Sequence, residues 1–291
     1  MLIFTLNYVL HAYCTFLVNQ KQTYMRVLVI GAGNMGLTYS EGMATSSMLN
    51  RKKLMIHDLS AELIEMLRKK PEFDVYEKLE DCLPMADVVF LGVKPYHADA
   101  LMEKMKPMVN DQQIFVSLMA GVTIQHIQNG LEIKKVVRTM PNLPAKVGRG
   151  VTSYTESKEI SRVELLMIRN LLDTTGESIR VKNEEFINKS TGISGSGPAY
   201  VFYFMQSMLE AAKKMGFSDN DSKVLVSTTF EGAIKLFKES DLTPTTWMDR
   251  VASKGGTTRA ALDSMDENNV EELIKEAAFA AFNRAVELGE E

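Results

Sequence analysis

An open, doubly wound parallel α/β sheet followed by an all-helical domain is the fold class predicted for this 291-residue chain. Three observations predict it. Short β-branched apolar runs alternate with amphipathic ones from Arg26 to about Glu185, the rhythm of a parallel sheet buried on both faces. The first of these runs breaks into a glycine turn that opens a helix. From Gly197 onwards helical periodicity continues without a convincing strand pattern.

The first strand is Arg26 to Ile30, and the turn after it reads Gly31-Ala32-Gly33-Asn34-Met35-Gly36. In that spacing Gly31 makes the tight turn, Gly33 lets a pyrophosphate approach the backbone, and Gly36 lets the new helix pack close to the sheet. The helix, predicted over Met35 to Leu49, offers unpaired N–H groups and a partial positive charge to phosphates. Gly31, Gly33, Asn34, Met35 and Gly36 are therefore candidate dinucleotide-binding residues. Lys53 to Asp58 is the second strand, with an amphipathic helix from Ala61 to Arg68 behind it. Asp58 stands at its tip, about twenty residues past the glycine turn, where an acid accepts hydrogen bonds from the adenosine ribose and repels a 2′-phosphate. Arg51, Lys52 and Lys53 lie at the other end of that strand, so the sequence leans towards NADH over NADPH.

Asp87 to Val93 and Ile114 to Leu118 are further buried strands, separated by a helix over Ala98 to Met105. Ligands in such sheets gather at the carboxyl ends of the strands, which makes Lys94, Pro95, Ala120 and Gly121 candidates for the crevice lining. Lys135 to Arg138 is another strand, and the prolines of Thr139 to Pro144 force an extended loop after it. Val151 to Tyr154 and Ser178 to Val181 read as strands flanking a helix over about Ile160 to Leu172.

In the helical part the first helix is expected after the run Thr191-Gly192-Ile193-Ser194-Gly195-Ser196-Gly197-Pro198, with Ser196 as its N-cap and Pro198 in its first turn. Ala199 to Met205 is apolar nearly all round, and a helix of that kind must be buried on every face. In so small a domain the expected cover is a second copy of the chain, giving an obligate homodimer, with a central helix of a monomeric bundle as the alternative. Further on, Ser253-Lys254-Gly255-Gly256-Thr257-Thr258 sets glycines between hydroxyl residues ahead of a helix. Backbone N–H groups and hydroxyls there make a small anion site suited to a carboxylate, or a ligand-free cap.

Composition narrows the function classes. A net charge of −4 without a basic stripe excludes an electrostatic footprint for nucleic acid. The two cysteines, Cys14 and Cys82, cannot build a disulfide framework, which fits a reducing cytoplasm. The four histidines, His11, His57, His97 and His126, are scattered and offer no metal-ligand spacing. Tyr154 and Lys158 have the spacing of an acid–base pair that must share a helix face, but the tyrosine ends a strand, so the match is chance. Leu2 to Gln20 is mostly apolar and uncharged, yet it lacks the basic flank and cleavage site of a signal. Residues 1–24 read as an extension upstream of Met25, with membrane tethering through Leu2 to Val18 as the lesser alternative. The expected division is then 1–24 extension, 25–185 dinucleotide-binding domain and 186–291 helical substrate and dimerisation domain.

Together the runs Gly31 to Gly36, Val93-Lys94-Pro95, Met140-Pro141-Asn142, Thr191 to Tyr200 and Gly255 to Thr258 closely resemble the pyrroline-5-carboxylate reductase family, in order and spacing, over about Arg26 to Leu288. The resemblance implies a Rossmann-type domain followed by a helical dimerisation domain like the C-terminal part of 6-phosphogluconate dehydrogenase. It also implies reduction of the cyclic imine of 1-pyrroline-5-carboxylate to proline with NADPH or NADH. By that likeness Ser253, Gly255, Gly256 and Thr257 would hold the substrate carboxylate, and the Thr258 hydroxyl would contact the ring nitrogen as the catalytic candidate. Ser196, Gly197 and Pro198 would lie against the substrate. Val93, Lys94, Pro95, Ala120, Gly121 and Asn142 would line the cofactor crevice, and assembly would be a homodimer or a ring of dimers. Two departures stand out: Lys254 occupies a position where the family usually has proline, and Asp58 opposes the family's ready use of NADPH. A hydroxyacid dehydrogenase of related architecture needs a lysine on the long helix, which has only Lys213 and Lys214 at its far end. A nicotinamide sensor would have no need of the run from Ser253 to Thr258.

Overall fold

The computed structural model describes residues 25–46, 49 and 54–290. The extension ahead of Met25, with Cys14 and His11, and the basic residues 51–53 lie outside the described residues. Chain order is β1 (Val27–Ile30), α1 (Asn34–Ala44), β2 (Leu54–His57), α2 (Ala61–Arg68), β3 (Phe73–Tyr76), β4 (Val88–Leu91), α3 (Ala98–Met105), β5 (Ile114–Ser117), α4 (Ile124–Leu131), β6 (Val136–Met140), β7 (Gly150–Glu156), α5 (Arg162–Leu172) and β8 (Gly176–Arg180). There follow α6 (Glu184–Ser190), α7 (Gly197–Lys214), α8 (Asp219–Lys238), α9 (Pro244–Val251), α10 (Thr257–Glu267) and α11 (Val270–Glu290).

The strands form one sheet of eight in the order β3-β2-β1-β4-β5-β6-β7-β8. Every pairing is parallel except β6 with β7. The order reverses between β1 and β4, so the crevice at their carboxyl ends is the place this topology reserves for a ligand. β1, β2, β4 and β5 are buried along their whole length, as continuous apolar runs require. Two apolar clusters sandwich the sheet, one around Tyr39, Phe90 and Leu171, the other around Leu83, Met105 and Phe115. Tyr39 carries α1 into the first of them. Its hydroxyl meets Thr152 Oγ1 at 2.5 Å, and burial pushes its pKa above the ordinary tyrosine value. Cys82 is buried in the second cluster, where desolvation pushes its thiol up to about 12.

Three details depart from the sequence expectation. α1 ends at Ala44 instead of Leu49, because Thr45 turns back to Gly42 and the Ser46 N–H bonds to Met43. β3 was not predicted: Phe-Asp-Val-Tyr is four residues long, buries only Phe73 fully and sits at the sheet edge. β7 runs antiparallel to β6 because the turn after Met140 is too short for a crossover helix.

Among the described residues the helical part lacks a core of its own. Neither apolar cluster has a buried member beyond Leu172, and beyond residue 186 the buried apolar residues are Ile187, Ala212, Val226 and Ala252. In α7 only Ala212 is buried, while Phe202 and Tyr203 are 58% and 75% exposed. Exposed Phe217, Val224, Leu225, Ile234 and Phe237 extend the apolar surface along the α7–α8 hairpin. So much contiguous apolar surface is a self-association face, not the outside of a monomer. A Phe202→Asp substitution should therefore shift the sedimentation of the protein towards monomer at micromolar concentration. An unchanged sedimentation coefficient would place the interface elsewhere.

Candidate active site

The glycine turn is shaped by backbone packed on backbone. Gly31 has φ +88°, and a Cβ there would lie 2.8 Å from the Val93 nitrogen. A Cβ on Gly36 would fall 1.9 Å from the Gly31 carbonyl oxygen. Helix α1 can start this close to the sheet only because both positions lack side chains. Gly33 is its N-cap and contributes no side-chain cap, and the first intrahelical bond runs from Leu37 N–H to Gly33 O. The N–H groups of Asn34, Met35 and Gly36 are thus free of helical partners and point out of the turn. Gly33 and Asn34 are exposed, as an entry for phosphates requires.

Asp58 follows β2 and is half-buried. Its Oδ2 accepts the Ala32 N–H at 2.7 Å and its Oδ1 accepts the Ser60 N–H at 2.8 Å. The carboxylate therefore pins the glycine turn to the start of α2. Val93, Lys94 and Pro95 follow β4, with Val93 against Gly31 and Lys94 exposed at the head of a short turn. Asn142 is buried: its Nδ2 donates to Ser194 O at 3.1 Å and its Oδ1 accepts the Val151 N–H at 2.9 Å. Its amide thus ties the sheet edge to the Thr191–Gly195 run.

That run is a π-helical turn continuous with α6 and α7. Ser196 stands at the N-cap position of α7 as expected, but its side chain does not cap the helix. Its backbone is helical (φ −82°, ψ −21°), its side chain makes no cap bond, and its N–H donates to Thr191 O at 2.8 Å. The chain thus enters α7 directly from the π turn, and the Ala199 N–H bonds to Ser196 O at 3.0 Å. Pro198 does sit in the first turn, as predicted. Tyr200 locks the turn by donating to Gly192 O at 3.0 Å.

A cavity of about 250 Å³ joins the two halves of the chain. Ala120 and Gly121 enter it from the sheet edge, Thr191 and Ser196 from the π turn, and Arg284 from α11. Arg138 also lines it, a residue that the sequence reading did not single out. Its guanidinium is 3% exposed and donates to Glu184 Oε1 and Asn188 Oδ1, each at 2.9 Å. Glu184 Oε1 also accepts the Ile124 N–H at 2.9 Å, so one ion pair fixes β6, α4 and α6 together. The arginine was hidden because it interrupts an otherwise apolar strand, where nothing in the pattern marks its partner 46 residues away.

The remaining predicted residues lie apart from this cavity. Ser253, Gly255, Gly256, Thr257 and Thr258 form the turn between α9 and α10, with Gly255 at φ +73° and the Gly256 N–H bonded to Ser253 O. Gly256 N-caps α10 without a side-chain cap, leaving the N–H groups of Thr257 and Thr258 outside the helical ladder. Arg259 braces the turn between Asp249 and Asp263 at 3.7 and 3.9 Å. Lys254 is exposed on it. None of Ser253 to Thr258 lines the cavity that holds Ser196. Tyr154 and Lys158 share no helix, since Tyr154 is inside β7. Among the described residues no group of three or more His, Cys, Asp or Glu side chains could hold a metal ion, and no helix is long and apolar enough to cross a membrane.

Comparison with known proteins decides the family. The chain is 32% identical over 270 residues to pyrroline-5-carboxylate reductase of Staphylococcus aureus strain COL, covering 91% of this chain and 98% of that protein. It belongs to the pyrroline-5-carboxylate reductase family. The Pseudomonas aeruginosa reductase is likewise 32% identical, over 267 residues. Residues 184–288 match the family described as pyrroline-5-carboxylate reductase dimerisation, and residues 26–121 match NADP oxidoreductase coenzyme F420-dependent. The fold resembles a pyrroline-5-carboxylate reductase structure from Coxiella burnetii (TM-score 0.85, 28% identity, 91% of this chain and 99% of that one). It also resembles the Plasmodium falciparum pyrroline carboxylate reductase with NADP bound (TM-score 0.82, 26% identity, 91% and 98%). Membership of this NAD(P)H-dependent family agrees with the shape of the glycine turn, and the match to its dimerisation region agrees with the uncovered apolar faces of α7 and α8.

Because Gly36 rests on the Gly31 carbonyl, Gly36→Ala should displace α1 and weaken NADH or NADPH binding at least about tenfold, read by the fluorescence of the reduced nicotinamide. Unchanged affinity would remove the turn from coenzyme binding.

Proposed function

We infer that this protein reduces the C=N bond of 1-pyrroline-5-carboxylate to give proline, the last step of proline synthesis, as an NAD(P)H-dependent oxidoreductase. The observation that carries the reading is the likeness to pyrroline-5-carboxylate reductases over nearly their whole length, joined to a glycine turn standing open at the sheet's carboxyl edge. Residues 25–185 bind the coenzyme and residues 186–291 bind substrate and the second protomer. The dimer, alone or closed into a ring of dimers, works in the cytoplasm, where an unpaired buried Cys82 is at home.

Residue roles follow from position. The N–H groups of Asn34, Met35 and Gly36 receive the pyrophosphate, with Gly31 and Gly33 leaving room for it. Asp58 takes the ribose hydroxyls, and its charge disfavours a 2′-phosphate, so NADH is the better coenzyme. Val93, Lys94, Pro95, Ala120 and Gly121 line the nicotinamide end of the crevice. Asn142 holds that edge in place through Ser194 and Val151 instead of through a free amide. When bound, the reduced nicotinamide would supply the hydride for the imine carbon. Ser253, Gly255, Gly256 and Thr257 hold the substrate carboxylate on the N–H groups that open α10. Thr258 fixes the protonated ring nitrogen by accepting its N–H, so the carbon presents one face. Ser196, Gly197 and Pro198 form the opposite wall. Within one protomer the 253–258 turn is outside the cavity of Ser196, so the turn completes the site of the second protomer. Rate then derives from orientation and electrostatics, since the nitrogen is protonated before chemistry and needs no strong acid.

Oxidation of NADH and of NADPH at the reduced-nicotinamide absorbance, with and without 1-pyrroline-5-carboxylate, tests the reaction itself. Substrate-dependent oxidation is expected with both and faster with NADH; none with either, from protein that binds coenzyme, would contradict it. In the same assay Thr258→Val removes the hydroxyl at nearly constant volume and should lower turnover about tenfold or more. An unchanged rate excludes Thr258 from the mechanism. Asp58→Asn should raise the NADPH-to-NADH ratio of kcat/KM roughly tenfold, as about 1.4 kcal/mol of relieved repulsion would. A ratio that stays put means the carboxylate serves only Ala32 and Ser60.

A further inference from the structure

The turn Leu143–Val147 that follows β6 packs against α1 and brings a cation to the glycine turn. Lys146 Nζ lies 3.1 Å from Asn34 Oδ1, across 112 residues of sequence. Both side chains are exposed, and the Asn34 oxygen is the polar contact of the Lys146 ammonium among the described residues. Asn34 is the first residue of α1, and that helix has no acidic residue in its first turn. An ammonium beside the positive end of a helix dipole is electrostatically unfavourable by itself. The placement becomes favourable when an anion lies between the two. The loop is held there by more than the lysine: Asn142 anchors its start through Ser194 and Val151, and the Gly148 N–H closes it on Ala145 O.

We propose that Lys146 is a coenzyme-contacting residue, its ammonium held by Asn34 at the head of α1 as the cationic partner of the coenzyme pyrophosphate. This rests on the reading that the glycine turn binds a dinucleotide. Asp58 marks the ribose end of the crevice, at the tip of β2, whereas Lys146 meets the first residue of the helix. The pyrophosphate is common to NADH and NADPH, so the lysine contributes to both alike and leaves the choice between them to Asp58. A primary ammonium on a flexible stem suits this place, since it acts as a point charge on a phosphate.

The test is a titration of the full-length protein with NADH and with NADPH, read by nucleotide fluorescence, for wild type, Lys146→Met and Lys146→Arg at low and high ionic strength. Lys146→Met should raise both dissociation constants about fivefold at low salt, and Lys146→Arg should keep them near wild type. The gap between wild type and Lys146→Met should narrow at high salt, where the charge is screened. Unchanged constants in Lys146→Met would overturn the proposal, as would a loss confined to NADPH, which would assign the cation to the 2′-phosphate. Wild-type protein that binds neither coenzyme would instead overturn the dinucleotide reading and the proposal with it.

Discussion

The contact on which the rest of the structure depends is the seating of Gly36 on the carbonyl of Gly31, with Gly92 closing the other side. It is backbone against backbone, and any side chain at Gly36 would overlap an oxygen that cannot move without unmaking β1. From that contact follow the close approach of α1 to the sheet, the free N–H groups at its head and the position of Asp58. Tyr39 then anchors the helix about one turn on, through Thr152 of β7, so α1 is held by glycine packing at its head and by a buried hydroxyl pair further along.

A second constraint governs the helical half. α7 to α10 bury few of their own apolar side chains, and the dimerisation match over residues 184–288 accounts for what covers them. The consequence reaches the chemistry. The 253–258 turn, with its unpaired N–H groups, and the cavity behind Ala120, Arg138 and Ser196 are different places on one protomer. A site that needs both needs two chains. Arg138 and Glu184 give the cavity a rigid floor, since their ion pair joins β6, α4 and α6 across the boundary between the halves.

Much of this was legible in the sequence, and the exceptions have physical causes. The glycine turn, β4, β5 and the long apolar helix could be read because each is a local pattern whose burial and periodicity coincide. β3 escaped because an edge strand of four residues, half-exposed, has no continuous apolar run. The direction of β7 depended on loop length more than on composition. Ser196 has the chemistry of a cap and stands at the cap position, but the π turn ahead of it holds its backbone helical, a circumstance that no single residue announces. Arg138 and Lys146 act through partners 46 and 112 residues away, and such pairings become visible only when the chain is folded.

The division of one site between two protomers is most directly tested by complementation. Gly36→Ala lacks the coenzyme turn and Thr258→Val lacks the ring-nitrogen contact, and the two chains can be co-expressed. If each site combines the glycine turn of one protomer with the 253–258 turn of its partner, every hybrid dimer contains one intact site. Random assortment then restores about a quarter of wild-type activity. Activity no greater than the mean of the two parent variants would mean that both elements act within a single chain, and would contradict the shared site.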